Sequence, residues 1–494
     1  MKNIRKIVAA ALVTFQVILT AAVGFIPASA EAGTGANGRG RSYHAYKADA
    51  PITLDGKVTE GEAWDNLPWS EDVVKIKDSG ISYQSYYASF KTMWYKDDTA
   101  AHLYVLINYN DVKHAAYSSA NVHFNLGVDE SGTATGGFSP EKWQPGDVVA
   151  MENGDTPDGS FDVSKNGVVQ KSNAAQNGQV KGSAYRFCTQ RVSNDNPQVT
   201  IEVEYTFRTP AKAEAGKKLG FDLNVMPGYW GECAWNTPAW RGNAENLGGL
   251  ILEVDSASTR KTVTVQDKNM IVASSDVTAD GKFTLPVADP HSTAQLVGWK
   301  DAEGKLYKPG KELTGLTANA IFTAVTADFK TLDGAAVRFA DPTGLRFYSQ
   351  ASKADFDALG AALTATGTLI LPTDMLGEGA LTLEALADKE ESKDYLNIVN
   401  SGWLNAATAE ADGYYQFSGA IVNIKAANYD RNFSAVGYFT VTYENGETAN
   451  FYGGYKAANA TSVKTVATKA LADLAANPDK YNATEKAILE SYTK

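Results

Sequence analysis

Two runs of strict alternation constrain what this chain can fold into. Phe124, Leu126 and Val128 are separated by Asn125 and Gly127; Val199, Ile201, Val203 and Tyr205 are separated by Thr200, Glu202 and Glu204. Period-two patterning sends one face of a strand into a core and leaves the other polar. Phe90 to Tyr95 and Leu103 to Asp111 read as further strands, and Gly- or Asn-rich turns fall at 132–137, 153–159 and 177–182. Many short strands joined by such turns predict an antiparallel β-sandwich over residues 43–256.

The rest of the chain divides by composition. Residues 1–30 read as a signal peptide: Lys2, Arg5 and Lys6 precede an apolar run from Ile7 to Ile26, and Ala28-Ser29-Ala30 is a small-residue cleavage site. An uncleaved anchor is the rival reading of that run. Residues 31–42 are Gly- and Ala-rich and read as a linker. A compact β pattern over 260–329 predicts a small β-rich domain. Residues 331–494 mix strands with helices and predict a C-terminal α+β domain. There Phe356, Leu359, Ala362 and Leu363 fall at helical spacing, and Glu444-Asn445-Gly446-Glu447 is a hairpin turn. Ser462 to Ala475 carries an apolar helical stripe stopped by Asn477-Pro478, with a second short helix at 484–492. The fold class is therefore mainly β, ending in helices.

Length leaves room for three domains in 494 residues. A net charge of −12 argues against a nucleic-acid partner, which would want a basic stripe. Two cysteines, Cys188 and Cys233, allow at most one bridge, so this is no disulfide scaffold. No nucleophile elbow, H-E-x-x-H, phosphate-binding loop or dinucleotide fingerprint occurs, and the five histidines have no metal spacing. The chain therefore reads as non-catalytic and without a cofactor. A structural Ca2+ on Asp111, Asp129 and Glu130 is compatible with the acids present, as is their reading as solvated turn residues.

Ile52-Thr53-Leu54-Asp55-Gly56, then Glu62-Ala63-Trp64, the strand pair, and a tryptophan-rich loop from Trp230 to Trp240 leading into Leu247-Gly248-Gly249-Leu250 give an ordered series. That series resembles the family 9 carbohydrate-binding modules, β-sandwiches that hold a terminal sugar between two aromatic rings. The resemblance implies that Trp240 is one platform, with Trp235 its structural neighbour and Arg241 a polar contact. It places the opposing platform near Tyr117, where the family has tryptophan, and further contacts at His123 and Asn125. The blander readings are core packing for Trp240, a surface-loop tyrosine for Tyr117 and a solvated strand residue for His123. Stacking on the C–H face of a pyranose and hydrogen bonding to its rim are the chemistry these residue types supply.

Val297-Gly298-Trp299-Lys300-Asp301, Gly304, Tyr307 and Gly310 resemble the small B-repeats of internalin-type proteins (the Listeria-Bacteroides repeat), which act as spacers or adhesive modules. Together the resemblances imply an extracellular protein, secreted or on a Gram-positive type of cell surface and associated with the wall. It would have no membrane span in its mature form. Its partner would be a plant-type polysaccharide or oligosaccharide such as xylan or cellulose fragments, within polysaccharide catabolism. The alternatives are a surface adhesin or scaffold without glycan binding, and an accessory part of a glycoside hydrolase system with catalysis in residues 331–494.

Overall fold

The computed structural model describes residues 39–494 apart from 57, 59–60, 78–86, 111–118, 126–169, 174–183, 192–197, 208–209, 227–231, 237–247, 269, 378 and 475. The signal and most of the linker lie outside the described residues. Among the described residues, no helix is long and apolar enough to cross a membrane. The architecture is mainly β, and it forms two compact units. One comprises residues up to Pro286 with Glu312–Phe322; the other comprises Val287–Lys311 and Thr323–Lys494.

The first unit is built on eleven strands: β1 Ser42–Lys47, β2 Val74–Lys77, β3 Tyr87–Lys96, β4 Ala101–Asn110, β5 Ser119–Asn125, β6 Gln170–Asn173, β7 Ala184–Arg191, β8 Gln198–Thr206, β9 Lys218–Met226, β10 Glu232–Ala234 and β11 Gly248–Ser256. They pair in the order β2-β10-β9-β11-β1-β3-β4-β8-β7-β6, with β5 on the free edge of β9. All pairings are antiparallel except those of β1, which runs parallel to both β11 and β3. The sheet forks at β9: Lys218 to Phe221 pair with β11, while Asn224 and Val225 pair with β10. Residues 70–73 bond onto the start of β3, Ser70 N–H to Phe90 O at 2.8 Å and Val73 N–H to Ala88 O at 3.1 Å. The folded-over sheet encloses Phe90, Leu103, Val105, Val203, Tyr205, Phe221, Leu223, Trp235, Leu250 and Leu252. Val203 and Tyr205 among them are alternating apolar positions of the sequence.

The opposite face of β3, β4 and β8 is also covered. Met93, Tyr104 and Leu106 pack with Ile52, Trp64 and Leu67 in a second cluster. The opening motif is thus architecture. Glu202, fully buried on β8, accepts the N–H groups of Asp55 and Gly56 through Oε2, each at 2.8 Å. Gly56 has a φ of 81°, a turn conformation that suits glycine. Glu62 accepts the N–H of Thr53 at 2.9 Å. Buried Lys91 on β3 donates to the carbonyl of Trp64 at 2.7 Å.

A hairpin, β12 (Thr262–Asp267) with β13 (Met270–Asp276), packs onto this sandwich. The N–H of Ile271 donates to the Tyr87 hydroxyl at 2.8 Å, and Tyr46 donates to Asp276 at 3.0 Å. Arg260 pairs with Asp276 at 2.7 Å and lies over the Tyr46 ring. A short pair, β14 (Phe283–Thr284) with a strand at Glu312–Leu313, completes the unit. Residues 260–286 and 312–322 fall in the first unit, and 287–311 and 323–329 in the second. The β12–β13 hairpin is held by sandwich side chains.

In the second unit, β15 (Gln295–Lys300) pairs with β16 (Leu306–Tyr307). The repeat-like motif closes this turn. Asp301 accepts the N–H groups of Glu303 and Lys305 at 3.0 and 2.9 Å and the Tyr307 hydroxyl at 3.0 Å. Trp299 is fully buried. Counting Glu312–Leu313 as β17 and Ala320–Ala327 as β18, the remaining strands are β19 Phe329–Thr331, β20 Ala336–Arg338, β21 Gly344–Ser352, β22 Leu363–Pro372, β23 Leu396–Val399, β24 Tyr414–Val422, β25 Phe433–Thr442 and β26 Thr448–Tyr452. One sheet runs β19-β21-β20 with β24 on the other edge of β21; the second runs β23-β22-β25-β26. Small residues let the two approach: a Cβ at Gly437 would overlap Ser349, and one at Gly419 would come within 2.6 Å of Thr368. The C-terminal helices, Val463–Asp473 and Ala483–Thr493, pack on Val337, Leu345, Phe347, Ile370 and Phe433. The second helix begins with a full capping box between Asn482 and Glu485.

Candidate functional site

The tryptophan-rich segment leaves the sandwich at Asn236 and rejoins it at Gly248, and side chains fix both ends. Trp235 is 2% exposed. Its indole meets Phe90 edge-on at 5.0 Å and Phe221 at 6.1 Å. The same ring lies against Gly248: a Cβ there would strike the indole and come within 2.9 Å of the Arg41 carbonyl. The glycine that opens β11 is thus required by the tryptophan thirteen positions before it, and Trp235 and Gly248 touch.

Polar groups hold the departing end. Asp222, fully buried on β9, accepts the N–H of Asn236 at 2.8 Å, and buried Asn236 accepts the N–H of Arg41 at 2.9 Å. Arg41 donates to the carbonyls of Trp235 at 2.6 Å and Asp72 at 2.8 Å, and pairs with Glu71 at 2.5 Å. Arg39 donates its backbone N–H to Asn236 O at 3.0 Å and its guanidinium to Ala234 O at 3.2 Å. Burial lowers the pKa of Arg41, opposed by Glu71, Asp72 and Asp222. Burial pushes the Asp72 carboxyl up to about 7, opposed by N–H groups of Ala88 and Val73.

Of the six candidate ligand contacts, Trp235 is the one described to its side chain. It is a core residue and offers no platform, because its ring is enclosed by Phe90, Phe221 and Gly248. Trp240, Arg241 and Tyr117 lie outside the described residues. His123 and Asn125 are described in their backbone only. The register sets His123 opposite Asp222 and Asn125 opposite Gly220, positions that alternate with the core-facing Phe221 and Leu223. The start of β5 at Ser119 pairs with the end of β9 at Met226.

Sequence reasoning missed Arg39, Arg41, Asp222 and Asn236. The two arginines fall in the stretch that reads as a linker from its Gly-, Ala- and Asn-rich composition; their one signal is position, immediately before β1. Among the described residues, no group of three or more His, Cys, Asp and Glu side chains could hold a metal ion. The calcium candidates Asp111, Asp129 and Glu130 fall outside those residues.

No family model and no curated protein matches the chain. Among solved structures, a carbohydrate-binding module family 9 from Caldicellulosiruptor kristjanssonii in complex with cellotriose is similar over 44% of this chain and 97% of its own, at 14% identity and a TM-score of 0.26. The same module with glucose covers 43% and 97%, at 15% identity and a TM-score of 0.27. The pilus backbone of Streptococcus pneumoniae covers 74% and 85%, at 10% identity and a TM-score of 0.13. Likenesses this slight do not establish a shared fold. None of the comparisons supports the repeat resemblance of residues 260–329.

Proposed function

We propose that this chain binds carbohydrate without catalysis, through residues of the segment between Asn236 and Gly248 and of β5. Support comes chiefly from the frame of that segment. The indole of Trp235 lies against Gly248, and Arg41, Asn236 and Asp222 bond to one another, so the two described residues that flank the segment are fixed by the sandwich. The segment carries Trp240 and Arg241, an aromatic face and a hydrogen-bonding fork. His123 and Asn125, on β5, are the further polar residues of the reading, and Tyr117 is its second aromatic. The ligand class is a plant-type β-glycan such as xylan or cellulose fragments. Residues 1–30 would export the protein to the cell exterior.

Affinity electrophoresis of the full chain tests the reading. Migration should slow in gels containing soluble xylan or a soluble cellulose derivative, and prolonged incubation with either should release no reducing ends. Unretarded migration in every glycan gel would remove the binding function, and release of reducing ends would make the protein a hydrolase.

A further inference from the structure

We propose that residues 52–56 and 62–67 form a proton-linked cover on the back face of the sandwich, held at one end by Glu202 and at the other by Lys91. Lys91, Leu106 and Glu202 stand in one cross-strand row over β3, β4 and β8. Both charged residues are enclosed: Lys91 is 3% exposed and Glu202 is 0% exposed. Each is tied to the backbone of the cover. Glu202 Oε2 takes the two amides of Asp55 and Gly56, while Lys91 donates to Trp64 O and lies 4.6 Å from the Trp69 ring centre. Glu202 Oε1 is buried with no hydrogen-bond partner. Neither charge therefore has an opposite charge bonded to it, and lifting the cover would hydrate both.

The groups around each end fix the direction of the effect. Burial, with Glu62 and Asp55 of the cover adding repulsion, raises Glu202 from 4.5 to about 7 against the pull of the two amides. Glu204 lies two positions along its own strand; on β7 the register sets Cys188 opposite Glu202 and Arg186 opposite Glu204. Burial lowers Lys91 from 10.5 to about 7, with Asp65 of the cover opposing. For Glu202 the closed state holds the proton that the open state gives up. Closure is therefore strongest below about 4.5 and weakens as pH rises to about 7. For Lys91 the closed state lacks a proton that the open state binds. Closure therefore gains strength as pH rises from about 7 toward 10.5. The cover is held most weakly near neutrality.

Hydrogen exchange of the full chain between pH 5 and 9, read at the Asp55 and Gly56 amides and corrected for intrinsic rate, tests this. The opening constant should climb by up to about tenfold per pH unit on the acid side of 7 and fall by a similar factor per unit above it. Glu202→Gln should flatten the acid limb and keep the alkaline one; Lys91→Met should do the reverse. A pH-independent opening constant in the unmodified chain would overturn the proposal even if neither variant folds. So would both limbs persisting in both variants.

Discussion

Replacing Trp235 with alanine is expected to destabilise the sandwich unit by about 3–5 kcal/mol, the usual cost of removing a large buried aromatic. The indole touches Phe90 and Phe221 at the centre of the core, and also supplies the surface against which Gly248 closes the loop. Two things therefore fail together: the core gains a cavity, and the loop loses the contact that joins its ends. Glycan binding should fall with stability although Trp235 is buried away from any ligand. Urea unfolding followed by intrinsic fluorescence, alongside affinity electrophoresis, measures both. A loss below about 1 kcal/mol would mean that the cavity collapses or that the indole is less central than its contacts imply.

The second large effect belongs to the other unit. Phe439 is fully buried between Phe356 at 4.9 Å, Phe451 at 5.1 Å and Phe329 at 5.3 Å, two of them edge-on and one stacked. Phe439→Ala should cost about 3–5 kcal/mol through lost burial and lost ring contacts. Because Phe439 packs wholly within the second unit, glycan binding should survive at temperatures where the variant remains folded. Calorimetry with a parallel affinity measurement separates the two. Loss of binding in a folded Phe439→Ala protein would show that the second unit takes part in recognition.

The sequence made some elements legible because local chemistry alone decides them. Ser462 accepts the N–H of Thr465, and the helix it opens ends before the Asn477-Pro478 stop. Asn482 and Glu485 begin the next helix by their own side chains. The Asn445-Gly446 turn joins β25 to β26, with Gly446 at a φ of 82°. The inward Val203 and Tyr205 of β8 follow from alternation.

What alternation misread was the other face. It marks Glu202 and Glu204 as polar positions turned to water, yet Glu202 is enclosed and Glu204 is 6% exposed. A segment more than a hundred residues earlier in the chain covers Glu202, and no local pattern announces such a cover. The parallel placement of β1 was hidden for the same reason, since its partners β3 and β11 lie far along the chain. In the candidate site the tryptophan and glycine spacing was readable. The Arg41–Asn236–Asp222 lock, formed across 195 and 14 positions, was not.

The most direct measurement is calorimetric titration of the full chain and its Trp240→Ala variant with a short xylan- or cellulose-derived oligosaccharide. Trp235→Ala serves as the destabilised control. Binding to the unmodified chain should weaken by about 1–3 kcal/mol when only Trp240 is lost, with the unfolding midpoint unchanged. Equal affinity in a fully folded Trp240→Ala protein would contradict the assignment of this loop as the sugar platform.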